Sequence, residues 1–217
     1  MAVEGVEGTG AERIDALRAA AGTGNAAAQL ELGNRLHFGD GVGRDEAEAY
    51  SWMRRAAEAG LAEAQSKLGC FLTMGWGVAA DPRGALKWFV RGLRGGYAKA
   101  GYNLGEAYRT GRQTTRSPRR AWFFFSKAVE LGDEASNCGL ARLCGRGVGV
   151  PKDVEKARVL LRRAMRADFG PAIVEMGRLF REGAADPEDL AEAEARALAL
   201  HRAGDLDSLQ VLFELRR

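Results

Sequence analysis

Apolar residues recur along this chain with helical spacing, and the pattern restarts every 36 residues. Each period opens with an apolar pair four residues apart: Leu32 and Leu36, Leu68 and Leu72, Leu104 and Tyr108, Leu140 and Cys144, Met176 and Phe180. A polar interval follows, and then a second stripe begins at Ala49, Ala85, Ala121, Ala157 and Ala193. That stripe continues through Trp52, Trp88, Phe124 and Leu160, with Arg196 breaking the series, and then Met53, Phe89, Phe125 and Leu161. The pattern predicts two amphipathic helices per period, for example over Ala62–Thr73 and Pro82–Arg94.

Glycines keep the same ruler. Gly24, Gly60, Gly96, Gly132 and Gly204 end the second helices, with Asp168 as the exception. Gly39, Gly75, Gly111, Gly147 and Gly183 stop the first helices. A third series, Gly33, Gly69, Gly105 and Gly177 with Ala141 in the remaining place, falls inside the first helices. A mid-helix glycine costs about 1 kcal/mol against alanine. Its recurrence therefore predicts a recurring benefit, the close approach of the two helices of a unit. Asp45, Asp81, Asp153, Asp189 and Ser117 are expected to cap the second helices, with Pro82 and Pro118 in the first helical position.

The ruler also sets the organisation. It places five full units at 25–60, 61–96, 97–132, 133–168 and 169–204 without an insertion. Residues 11–23 match a second helix alone and 205–217 a first helix alone, so both are expected to cap the array as half-units. Residues 1–10 carry neither register and are expected to be disordered. The remaining 11–217 form one domain on this reading.

The units resemble the Sel1-like repeat, a relative of the tetratricopeptide repeat. The resemblance rests on Ala26, Ala28, Leu32, Gly33, Gly39, Gly41, Val42, Asp45, Ala49, Trp52, Ala56, Ala57 and Gly60 in the first unit. It rests equally on Ala62, Ala64, Leu68, Gly69, Gly75, Gly77, Val78, Asp81, Ala85, Trp88 and Gly96 in the second. The third unit departs from the loop pattern with Gly111-Arg-Gln-Thr, and the fifth with Gly183-Ala-Ala-Asp. The resemblance implies an all-α, right-handed α/α superhelix of the solenoid type. It also implies a role as a protein–protein scaffold or adaptor.

In solenoids of this kind the first helices line a concave face. Positions between the core residues of those helices are then the candidate partner-binding residues: Asn34, His37, Phe38, Met74, Tyr102, Glu106, Arg109, Arg142, Arg146, Arg178 and Arg181. Leu30, Ser66, Cys138, Val174, Cys70 and Gly145 fall on the same registers. The series turns from apolar at its N-terminal end to arginine-rich at its C-terminal end. A partner segment with apolar and acidic character is expected, because arginine engages carboxylates in bidentate fashion. The atypical loop 112–120 adds Arg112, Arg116, Arg119 and Arg120, a possible electrostatic docking patch or a solvated loop. Trp76 in the second loop is expected to be packed rather than exposed.

Composition narrows the function. Thirty-two Lys and Arg stand against 29 Asp and Glu, a net charge of +3, too mild to argue for nucleic acid. The longest apolar stretch, near 121–126, falls far short of the roughly 20 residues of a membrane span. The acidic N-terminus argues against a secretory or mitochondrial leader. Three cysteines, Cys70, Cys138 and Cys144, are expected to be buried thiols in a reducing, cytoplasmic setting. No nucleophile elbow, phosphate loop or metal-ligand cluster occurs, so no enzyme activity, cofactor or small-molecule substrate is expected. An adaptor is the favoured function; a dedicated inhibitor, such as an immunity or anti-activator protein gripping one folded partner, is the alternative.

Overall fold

The computed structural model describes residues 10–203. The expectations for residues 1–9 and for the half-unit at 205–217 lie outside them. The described residues form eleven α-helices and no strand. Helix α1 (Gly10–Gly22) precedes five helix pairs: α2 (Ala26–Phe38) with α3 (Glu46–Glu58), α4 (Ala62–Met74) with α5 (Pro82–Arg94), α6 (Ala98–Thr110) with α7 (Pro118–Glu130), α8 (Ser136–Arg146) with α9 (Val154–Arg166), and α10 (Gly170–Arg181) with α11 (Pro187–Arg202). The chain divides into two compact units, one reaching to Ala100 and the other beginning at Gly101.

Helix starts follow their caps. The Asp45 carboxylate accepts from the Glu48 amide at 2.8 Å, Asp81 from Gly84 at 2.8 Å, and Asp153 from Lys156 at 2.9 Å. Two expected caps are corrected. Ser117 occupies the N-cap of α7 but makes no side-chain cap bond. In the fifth pair Asp186, not Asp189, is the N-cap, because Pro187 sets the first helical residue three positions before the ruler would. Asp189 lies in the first turn and accepts the Asp186 amide at 3.2 Å.

Asp168 explains itself through its backbone. Gly24, Gly60, Gly96 and Gly132 of its series have φ between 85° and 94°, and Asp168 alone among the described non-glycine residues has a positive φ, 55°. The register demands a left-handed residue there, which aspartate tolerates better than most.

The glycines inside the first helices are seats for side chains of neighbouring helices. A Cβ at Gly69 would lie 2.6 Å from the Phe89 ring, and one at Gly105 2.5 Å from Phe125. Phe125 also lies against Gly139, where a Cβ would come to 2.6 Å. Both rings are essentially removed from solvent. Burying a phenylalanine is worth about 1.5–3 kcal/mol, more than the roughly 1 kcal/mol that the glycine costs its helix. By contrast, Trp52, Trp88 and Phe124, which share the core stripe in sequence, are only half-buried. Their open faces carry Arg55 over Trp52 and Arg91 over Trp88, each at 4.6 Å, while Phe124 stacks on Tyr108.

The second loop glycine locks one pair onto the one before it. Gly77 has φ 65°, and a Cβ there would overlap the Glu46 carbonyl at the start of α3. Gly77→Ala is expected to cost about 2 kcal/mol or more, because the left-handed backbone and the carbonyl both reject a side chain. Gly43→Ala, with nothing within 4 Å, is the control and should stay within about 0.5 kcal/mol in the same urea titration.

Candidate protein-interaction site

Neighbouring first helices are tied by a polar rung 33 residues apart in sequence. In the N-terminal unit Lys67 on α4 donates to Asn34 on α2 at 2.9 Å. In the C-terminal unit the same register is filled by Arg142 on α8, which donates to Glu175 on α10 at 3.3 Å.

The N-terminal unit presents an apolar end. Phe38 and Met74, one period apart at the last residues of α2 and α4, are 75% and 62% exposed. Beside them His37 packs between rings, 4.7 Å from Phe38, 5.0 Å from Phe71 and 4.5 Å from Trp76. Burial holds its imidazole below the ordinary value, so the ring is favoured in its neutral form. Trp76 is therefore packed, against the end of α2 rather than a neighbouring loop.

In the C-terminal unit the arginines converge on one carboxylate. Glu175, with a side chain 7% exposed, takes Arg178 at 2.7 Å, Arg142 at 3.3 Å and Arg146 at 3.4 Å. Arg178 also pairs with Glu182. Burial alone would raise the Glu175 pKa, but the hydrogen bond from Arg178 and the fields of all three arginines outweigh it and hold the group ionised below the usual range. Arg109 grips Glu106 through two bonds, at 2.9 and 2.7 Å. Arg181 is exposed. The expected basic face is thus partly neutralised from within: four arginines, Arg109, Arg142, Arg146 and Arg178, meet three glutamates, Glu106, Glu175 and Glu182. Sequence reasoning missed Glu175. Its only signal was its place just before Met176, where the other units carry Glu31, Lys67, Asn103 and Gly139.

Several residues on the candidate registers are not at the surface. Leu30, Ser66, Cys138 and Gly145 are buried, and Cys70 is half-buried rather than buried as expected. Tyr102 is half-buried, its ring 6.0 Å from Phe125 and 6.2 Å from Phe169. A helix flanked by neighbours on both sides buries a wide face, not one narrow stripe. Burial pushes the Cys138 thiol up to about 12, which removes it from thiolate chemistry near neutral pH.

In the loop 112–120, Arg116 donates to the Arg109 carbonyl at 3.3 Å and Arg120 lies 5.4 Å over the Tyr108 ring. Arg112 and Arg119 are exposed. No described helix is long and apolar enough to cross a membrane. No cluster of candidate metal ligands occurs among the described residues.

Helix pairs that recur along the chain, with loop glycines Gly77 and Gly149 seated against the preceding pair, define an α-solenoid class of repeat protein. The Sel1 repeat family model matches residues 26–61, 62–97, 98–133 and 135–169, and the chain belongs to that family. The fifth pair, α10 and α11, lies beyond the matched repeats. The chain is similar to a Sel1 repeat protein from Oxalobacter formigenes (24% identity, TM-score 0.74, covering 91% of this chain and 86% of that one). It is also similar to a protective antigen of uropathogenic Escherichia coli displaying an SLR fold (27% identity, TM-score 0.74), covering 92% of this chain but only 43% of the antigen. A Sel1 repeat protein from Klebsiella pneumoniae shares the fold at 17% identity and TM-score 0.57. No curated protein matches the sequence. Sel1 repeats are in general protein–protein interaction modules, typically non-catalytic.

Proposed function

We propose that this protein is a cytoplasmic scaffold or adaptor that holds a partner segment on the exposed faces of its first helices. The observation that carries the reading is the pair Phe38 and Met74, two large apolar side chains one period apart and left open to solvent. Single exposed apolar residues are ordinary; two in register beside a packed aromatic group form an anchor site. Apolar contacts at this end would supply affinity. Within the C-terminal unit, the arginines held by Glu175 would offer a contact of their own to a carboxylate, because their geometry is set before the partner arrives. Cys70, Cys138 and Cys144 are thiols rather than disulfides, which fits a reducing compartment.

The test is affinity capture from the native cell with the wild-type chain, with Phe38→Ser/Met74→Ser and with Arg146→Ala. The apolar double variant is expected to lose the captured partner almost wholly and Arg146→Ala to weaken its recovery. Equal recovery with all three proteins, each with an unchanged melting temperature, would overturn the proposal.

A further inference from the structure

The second helices of the C-terminal unit carry a pattern that the first-helix site does not use. On α7 and its loop, Arg116, Arg120, Phe123 and Lys127 form one exposed stripe at helical spacing. On α9 and its loop, Lys152, Lys156, Val159 and Arg163 repeat it one period later, type for type. The two stripes are neighbours: Lys156 Nζ lies 5.0 Å over the Trp122 ring, and a Cβ on Gly149 would come within 2.5 Å of Pro118. Phe123 is 52% and Val159 48% exposed.

Charge distinguishes this face from the first-helix site. Among the described residues, Arg116, Arg120, Lys152 and Lys156 have no carboxylate within ion-pair distance, whereas Arg109, Arg142, Arg146 and Arg178 all have one. The other unit does not repeat the arrangement. There α5 is also basic, but Lys87 takes the place that Phe123 holds here.

We infer that the α7–α9 face is a second docking surface, for a protein segment that carries acidic residues followed by an apolar anchor. Arg116 stands two residues before α7, and α7 rises about 8 Å from Pro118 to Phe123, so the stripe from Arg116 to Phe123 is about 10 Å or more long. An extended partner spans that in about three residues. Its carboxylates would meet the four cations at the N-terminal ends of α7 and α9, and its apolar side chain would lie across Phe123 and Val159. A protein partner is favoured over a phosphate-bearing one because Glu130 and Glu155 stand on the same face, Glu155 with a side chain 78% exposed. A phosphate backbone or an anionic bilayer would be repelled there, whereas a peptide can place a cation opposite. This surface is independent of the first-helix site, so the chain would join two partners.

The test uses the full chain and a short fluorescein-labelled peptide with a run of glutamates followed, three residues on, by Leu-Phe. Fluorescence anisotropy at low salt is expected to show saturable binding. Arg120→Glu/Lys156→Glu should weaken it by about tenfold or more, and Phe123→Ser/Val159→Ser by about fivefold. Arg146→Ala, on the first-helix face, should change it less than about twofold. Unchanged melting temperatures establish that the variants are folded. No saturable binding by the wild type, binding indifferent to the charge reversals, or an equal loss with Arg146→Ala would each overturn the inference. So would tighter binding to phosphatidylglycerol vesicles or to a single-stranded oligonucleotide than to the peptide. Failure of the capture experiment with the Phe38 and Met74 variants would leave this result untouched, so the two readings fail separately.

Discussion

Replacing Asp189 with alanine is expected to destabilise the C-terminal unit by about 3–5 kcal/mol, the cost of removing one partner from a buried ion pair. Asp189 is fully buried on α11. It takes Arg158 at 2.6 Å and Arg162 at 2.7 Å from α9 and accepts the backbone amide of Asp186 at 3.2 Å. Arg158, with a side chain only 11% exposed, also pairs with Asp186 and Glu155. Alanine would leave Arg158 largely dehydrated and short of its best acceptor. Burial would by itself raise the Asp189 pKa. The Asp186 amide and the hydrogen bonds from Arg158 and Arg162 more than offset it, so the carboxyl titrates below the ordinary range. A depressed folded-state pKa stabilises above the unfolded value and is lost as pH falls through the folded one. The wild type should therefore lose this contribution below about pH 4, near and below the ordinary aspartate value. Asp189→Asn keeps the shape and loses the charge, so its stability deficit against wild type should shrink as pH drops from 7 to 3. Urea denaturation of wild type and both variants across that range is the measurement. A deficit independent of pH would show that the Asp189 charge contributes nothing to stability.

How much of this could be foreseen differs by level. The helix pairs were legible because each stripe repeats and each break is marked by a glycine or a capping aspartate. Even the irregular Asp168 could be placed, since its register demanded a positive φ whatever the residue. The close approach at Gly69 and Gly105 was legible as an unexplained cost; that rings fill the space was not, because no single stripe says how far one helix is rotated against the next. The same missing rotation hid Glu175 and the role of Asp189. Both are charges on stripes that look exposed in sequence, and each is buried by a helix that arrives 27–33 residues away. It also made the arginine-rich first helices look like unopposed charge, when Glu106, Glu175 and Glu182 are folded in among them.

Gly105→Ala should test the seating of Phe125 most sharply, because two opposed effects are expected and packing should prevail. Helix propensity alone would favour alanine by about 1 kcal/mol. The new Cβ, however, would lie 2.5 Å from the Phe125 ring, and the ring cannot retreat because its other edge lies against Gly139. Overpacking of a core this tight costs about 1–3 kcal/mol, so the net expectation is a loss of about 1 kcal/mol on adding a single methyl. Phe125→Leu should itself cost about 1–2 kcal/mol through the space it leaves. In that background the Cβ gains room, and Gly105→Ala should become neutral or stabilising. The double variant should then be more stable than the sum of the single losses predicts, by about 1 kcal/mol or more. Additive losses would mean that the ring does not rest on the glycine. The third helix pair would then need another reason for a glycine in the middle of α6.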